Sequence, residues 1–170
     1  MLVTAVAFPD VILAVHILGA VVGFGTVFVF PVLFAAASRS DPAVIPWLLR
    51  ARQRVGRQLV NPGLTVVMLA GIYLASDEHQ WSNFYVGWGI VAAIVIGALE
   101  GSLIIRPAGR LATLAERDLA ATAVPSGGQR RSATWSSEYT AEVRRFALVG
   151  SAMAGIVVLT VFFMATHLGA

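Results

Sequence analysis

The chain has 170 residues, no cysteine, 58% hydrophobic residues and only 12% charged ones, with a formal net charge of +3 and a mean hydropathy of +0.80. A soluble domain carries about a quarter charged residues, so this composition is that of a lipid-embedded chain; it excludes intrinsic disorder, a disulfide scaffold and thiolate chemistry. Four spans of roughly twenty residues take about 80 positions, which leaves loops but no second soluble domain.

The opening MLVTAVAFPD has no basic residue before the first apolar run, so no cleavable signal is expected and the first helix stays in the mature protein. The first span covers 11–37 and its only notably polar residues are His16 and Thr26. It exceeds the length a bilayer requires, and Pro31 with Gly19, Gly23 and Gly25 predicts a tilt or kink. Asp41-Pro42 then reads as an N-cap with proline at the first helical position. Trp47, Ala51, Val55 and Leu59 recur every four residues, which predicts an amphipathic helix lying on the membrane surface and leading into the second span at 59–76. Asn61-Pro62 falls near the start of that span, where proline is tolerated. The third span covers 85–105. Pro107 opens a longer loop with a second short stripe, Leu111, Leu114, Ala115 and Leu119, followed by a break at 125–132. Trp135, Tyr139, Val143 and Phe146 keep helical spacing, so the fourth helix begins before its span at 146–168. No run alternates over barrel-strand lengths. The predicted fold is therefore all-α, one antiparallel four-helix transmembrane bundle with short amphipathic cytoplasmic helices.

All twelve basic residues are arginines. All twelve fall in the loops 38–58 and 106–145, and none in the termini or the 77–84 loop. Positive-inside bias places those two loops in the cytoplasm and both termini outside, in a bacterial inner membrane. The basic pI of about 10.2 is thereby explained by membrane retention and contact with anionic headgroups, with no nucleic-acid partner.

Polar groups inside a bilayer are the first place to look for function. His16, His79 and His167 all belong to the outer leaflet, with Tyr73, Trp81, Tyr85 and Trp88 at the same level. On one reading His79 and His167 are solvated, the aromatics form an interfacial belt and His16 hydrogen-bonds a neighbouring helix. On the other, His16 and His167 face each other across the bundle as ligands of haem b, with Gly19 and Gly23 opening a slot, or of a metal ion aided by His79, Asp77 and Glu78. Two histidines without a carboxylate or thiolate make a thin metal site, so no metal centre is assigned. Glu100 is the one acidic residue well inside a span, between Gly97 and Gly101, a GxxxG pair for close helix approach. It is expected to pair with Arg106 or an arginine from the second helix, chiefly Arg57, so that Glu100→Gln changes stability modestly; its functional alternative is a proton-carrying carboxyl in a small transporter subunit. Soluble-enzyme motifs such as a P-loop, GxSxG or HExxH do not occur.

AVHILGAVVGFGTVFVFPVLFAAA, the arginine-rich linker and NPGLTVVMLAGIYLA resemble small bacterial four-helix integral membrane proteins of unknown function. The likeness covers the first three helices and continues weakly through IIRPAGRLATLAERD. These proteins are distantly similar to the copper-resistance D membrane domain and to the four-helix membrane protoporphyrinogen oxidase. That oxidase's pattern has a His opening the first helix, matched by His16, and a Pro-Arg-Leu-Phe, matched by Pro31, Leu33 and Phe34 with Val32 in place of the Arg. Its second His is replaced by an Ala near position 37, and its third-helix Lys has no counterpart. The resemblance implies His16 as the haem-binding position. The expected function is an inner-membrane accessory or binding protein, haem-binding in electron transfer or in haem or copper handling. The alternatives are a membrane oxidoreductase of the porphyrinogen oxidase type and a transporter subunit using Glu100. The lipid bilayer, a second copy or a membrane complex are the expected partners.

Overall fold

A computed structural model describes residues 7–122 and 134–167. The break expected at 125–132, together with Arg130 and Arg131, lies outside the described residues. Helix α1 covers Phe8–Ser40. A 3-10 turn, Pro42–Val44, leads into α2, Ile45–Val55, and a π-helical segment, Gly56–Val60, joins it to α3, Asn61–Asp77. Helix α4, Phe84–Leu99, continues through a second π segment, Glu100–Ile105, into α5, Arg106–Thr122. Helix α6 covers Ser137–Thr166. Four rods, Phe8–Ser40, Pro42–Asp77, Phe84–Thr122 and Ser137–Thr166, are long and apolar enough to cross a membrane.

The amphipathic segments are not separate helices. Each prolongs a span: α2 runs into α3 and α5 continues α4. Pro62, read as near the start of a span, and Pro107, read as opening a loop, lie inside these rods, each two residues past a π segment. A proline removes one N–H and crowds the carbonyl four residues back, here residues 58 and 103, both within the π segments. Widening that turn by one residue accommodates the ring without breaking the rod. Gln53 Nε2 donates to the Ile105 carbonyl at 3.1 Å, tying one rod to the other's π segment. Pro31 likewise lies inside an uninterrupted α1.

The apolar stripes pack on protein. On α2 the buried face is Ile45, Leu48, Leu49 and Arg52, and Trp47, the head of the expected stripe, is 67% exposed. That face meets Leu111, Ala112, Leu114 and Ala115 of α5 and Tyr139 of α6. The α5 stripe was thus read correctly, with Leu119 at its half-buried edge, and the α2 stripe was placed one face round. Asp41 caps as expected, accepting from the Ala43 N–H at 3.1 Å. A second core joins Phe24, Val27, Leu64, Ala93, Ile96, Met153 and Val157 within the apolar length.

Paired contacts fix the directions. Gly19 faces Val67, Gly23 faces Gly63 and Phe8 meets Tyr73 edge-on at 5.6 Å, so α1 and α3 are antiparallel. Phe84 meets Phe163 at 5.6 Å, and Trp88 Nε1 donates to Thr160 Oγ1 at 3.0 Å, so α4 and α6 are antiparallel too. At the arginine end, Arg50 forms a bidentate pair with Glu116 (2.7 Å). Arg110 and Arg117 both reach Glu138, at 2.9 and 3.3 Å. The Ser136 N–H donates to Asp118 Oδ2 at 2.9 Å. That backbone N–H, aided by the Ser136 hydroxyl and by Arg117, holds the Asp118 carboxyl below the usual carboxylate range. The pairs of Arg50, Arg110 and Arg117 with Glu116 and Glu138 are solvent-exposed and add little stability. The network orients α2, α5 and α6 more than it stabilises them.

Candidate functional site

Two polar sites lie within the apolar length, one toward each end. The first is built on Glu100 and Arg52. Buried positions on the Pro42–Asp77 rod include 45, 49, 52, 56, 60, 64 and 67, and on the facing rod 93, 96, 100, 104, 108 and 111. These runs are each one continuous inner face at three-to-four-residue spacing. Arg52 and Glu100 occupy the same level of the two faces, where the rods are π-helical or about to become so. Their exposures are 4% and 0%.

Arg52 Nη2 donates to Glu100 Oε2 at 2.7 Å. Nη1 and Oε1 approach to 2.6 Å, an ion-pair contact off the hydrogen-bonding axis, and neither atom has a hydrogen-bond partner among the described residues. The guanidinium also lies 5.6 Å from the centre of the Phe30 ring. Gly56 makes room for it: a Cβ there would stand 3.2 Å from Arg52 Nη1 and 2.6 Å from Ile105 Cγ1. A cavity of about 30 Å3 lined by Thr26, Phe30, Arg52 and Met153 adjoins the pair, large enough for one water molecule. The Thr26 hydroxyl has no hydrogen-bond partner among the described residues.

The partner of Glu100 is an arginine of the second rod, as expected, but the two arginines singled out for it, Arg57 and Arg106, are both exposed. Arg57 is off the inner face by one residue, and Arg106 by two from Ile104 and Ala108. The GxxxG expectation also changes. A Cβ on Gly97 would touch Leu64 at 3.0 Å, but Gly101 has nothing within 4 Å. The helix approach made through glycine is instead between α1 and α3, where a Cβ on Gly63 would lie 3.3 Å from Gly23 Cα. Gly19 and Gly23 therefore admit α3 and leave no slot toward α6.

The second site is His16. Its Nδ1 is 2.9 Å from the Val67 carbonyl, and its Cε1 would lie 3.1 Å from a Cβ on Gly71. A carbonyl only accepts, so Nδ1 carries the proton and Nε2 presents a lone pair. Nε2 has no hydrogen-bond partner among the described residues. His167 is elsewhere: it caps α6 in the left-handed region at φ 49° and meets Tyr85 of α4 edge-on at 5.4 Å. His16 faces α3 and His167 faces α4. The contacts that each makes do not join them into one ligand pair. His79 also has a left-handed backbone, φ 55°, in the exposed turn after α3.

No family model, curated protein or solved structure matches this chain.

Proposed function

We propose that the chain is a multi-pass accessory protein of a bacterial inner membrane that binds haem b through His16, in electron transfer or in haem or copper handling. The supporting observation is the Nδ1–H···O=C bond from His16 to Val67. A backbone carbonyl on one ring nitrogen fixes the tautomer and orientation of the ring, as it does for metal-ligating histidines. Haem, when bound, supplies one-electron redox chemistry. What the chain supplies is an oriented imidazole on a helix pair locked by Gly23 and Gly63. His167 acts here as a helix terminator rather than a ligand.

The test is the absorption spectrum of detergent-purified protein from haem-supplemented cells. A Soret band is expected, present in His167→Ala and lost in His16→Gln, which offers haem no imidazole. A colourless wild type, or a band indifferent to His16→Gln, overturns the reading. Porphyrinogen turnover dependent on His16 would instead favour the oxidoreductase alternative. The transporter alternative asks Glu100 to exchange protons, whereas Glu100 is fully buried against an arginine.

The orientation belongs to the same proposal. All the described arginines lie on the α2–α5 end or beside it, and the opposite end carries Asp10, Asp77 and Glu78. Reporter fusions near Arg52 and Arg130 are expected to score cytoplasmic and a fusion at Ala170 external. A cytoplasmic carboxyl terminus would reverse the assignment.

A further inference from the structure

A pocket of about 340 Å3 opens between the second π segment with the start of α5 and the facing side of α6. Its size is at the lower end of the range for ligand sites, about 300 to 1,000 Å3. Arg106, Arg110 and Arg145 line it against one acid, Glu142. Arg110 is already held by Glu138 at 2.9 Å and lies 3.7 Å from Glu142. Arg106 and Arg145 are exposed and have no acidic partner among the described residues. Two guanidiniums with no carboxylate to answer them thus converge on one opening.

The rest of the lining is of a different kind. Leu103 and Phe146 form an apolar side, and Ser102 stands at its edge. These residues are the last of the third apolar run and the first of the fourth, so the pocket straddles the plane where hydrocarbon gives way to headgroups. Above Ser102 on the same helix face, Val91, Val95 and Ala98 are exposed, giving an apolar track that runs from the pocket along α4.

We infer that this pocket binds the headgroup of an anionic phospholipid, its phosphodiester between Arg106 and Arg145 and an acyl chain against Leu103, Phe146 and the exposed face of α4. Arginine forks match phosphate oxygens in pairs, and basic pockets between helices on the cytoplasmic side are suited to anionic headgroups. The apolar side separates this from a site for free phosphate, which gains nothing from Leu103 and Phe146. The inference rests on the arginine end lying at a membrane surface and is independent of His16 and haem.

The test uses the full chain in nanodiscs of phosphatidylcholine with and without phosphatidylglycerol, reading bound lipid by native mass spectrometry after release. Phosphatidylglycerol should be retained in preference to phosphatidylcholine. Arg106→Gln and Arg145→Gln should each weaken its retention about fivefold, and the pair Arg39→Gln with Arg54→Gln, exposed and outside the pocket, by less than about twofold. Circular dichroism verifies the fold of each variant, and Arg145→Lys, which keeps the charge but loses the fork, should retain only part of the binding. Equal losses in pocket and control variants would mean diffuse surface charge and would overturn the site. Millimolar inorganic phosphate displacing the lipid, or binding the detergent-solubilised protein in an Arg106-dependent way, would reassign the pocket to free phosphate. Equal retention of phosphatidylcholine would also refute it.

Discussion

Replacing Glu100 alone with glutamine is expected to destabilise the bundle by about 3–5 kcal/mol, the cost of leaving one partner of a buried ion pair uncompensated. Arg52 is 4% exposed and its fork is spent on the Glu100 carboxylate. No other acid reaches it among the described residues. Arg52→Met should cost a similar amount, because it strands the carboxylate instead. The double variant Arg52→Met with Glu100→Leu removes both charges from a site that is otherwise apolar, and should recover most or all of the loss. Unfolding of the four proteins in detergent, followed by helicity, gives the cycle. A Glu100→Gln protein as stable as wild type would mean that the carboxyl is protonated and carries no structural charge. That result, coupled to loss of a proton flux, would move the transporter reading first. The large effect expected here replaces the modest one that a boundary carboxylate with a solvated arginine would show.

The second large effect belongs to Gly63. A Cβ there would stand 3.3 Å from Gly23 Cα and 3.5 Å from Gly23 N, and both are backbone atoms that cannot turn aside. Alanine asks the two helices to part by a few tenths of an ångström. Leucine asks for several times that, and the parting takes the Gly19–Val67 contact and the His16–Val67 hydrogen bond with it. Overpacking of this kind costs about 1–3 kcal/mol and sometimes more. Gly63→Leu should therefore lower the unfolding midpoint well below that of Gly155→Leu, at an exposed position where an added Cβ meets nothing within 4 Å. Because the same substitution displaces the Val67 carbonyl from His16, it should also weaken any Soret band. Equal midpoints for the two leucine variants would show that α1 and α3 are not in close contact in the folded protein.

Packing in lipid explains why these two positions dominate. Between apolar helices in a bilayer there is no water to expel, so association depends on close contact and on satisfied polar groups. The α1–α3 crossing supplies the first through Gly23 and Gly63. Arg52 and Glu100 supply the second between the two central rods.

The sequence by itself determined the number of spans, the helical class and the segregation of charge, because each is a one-dimensional property. Twenty apolar residues are long enough to cross hydrocarbon whatever their neighbours, and the arginines are segregated to alternate ends of the apolar runs before any packing is decided. It also determined that His16 and Glu100 need partners, since a polar group in hydrocarbon is costly alone. Which partners they take was decided by tertiary structure. Trp47 drew the α2 stripe to the wrong face because it is large and apolar, while the inner face at 45, 48, 49 and 52 contains an arginine that a hydrophobic count rejects. Arg57 and Arg106 are nearer the expected boundary, but each points away from the inner face of its rod, and only Arg52 shares a level with Glu100. The prolines were legible as local breaks. That they widen turns inside continuous rods follows from packing, because α2 and α5 bury their faces on each other and hold the rods together through the widened turn. The glycines of α1 carried the same ambiguity between an open slot and a close approach, and it was resolved only by Gly63, 40 residues further along the chain, which fills the gap with backbone.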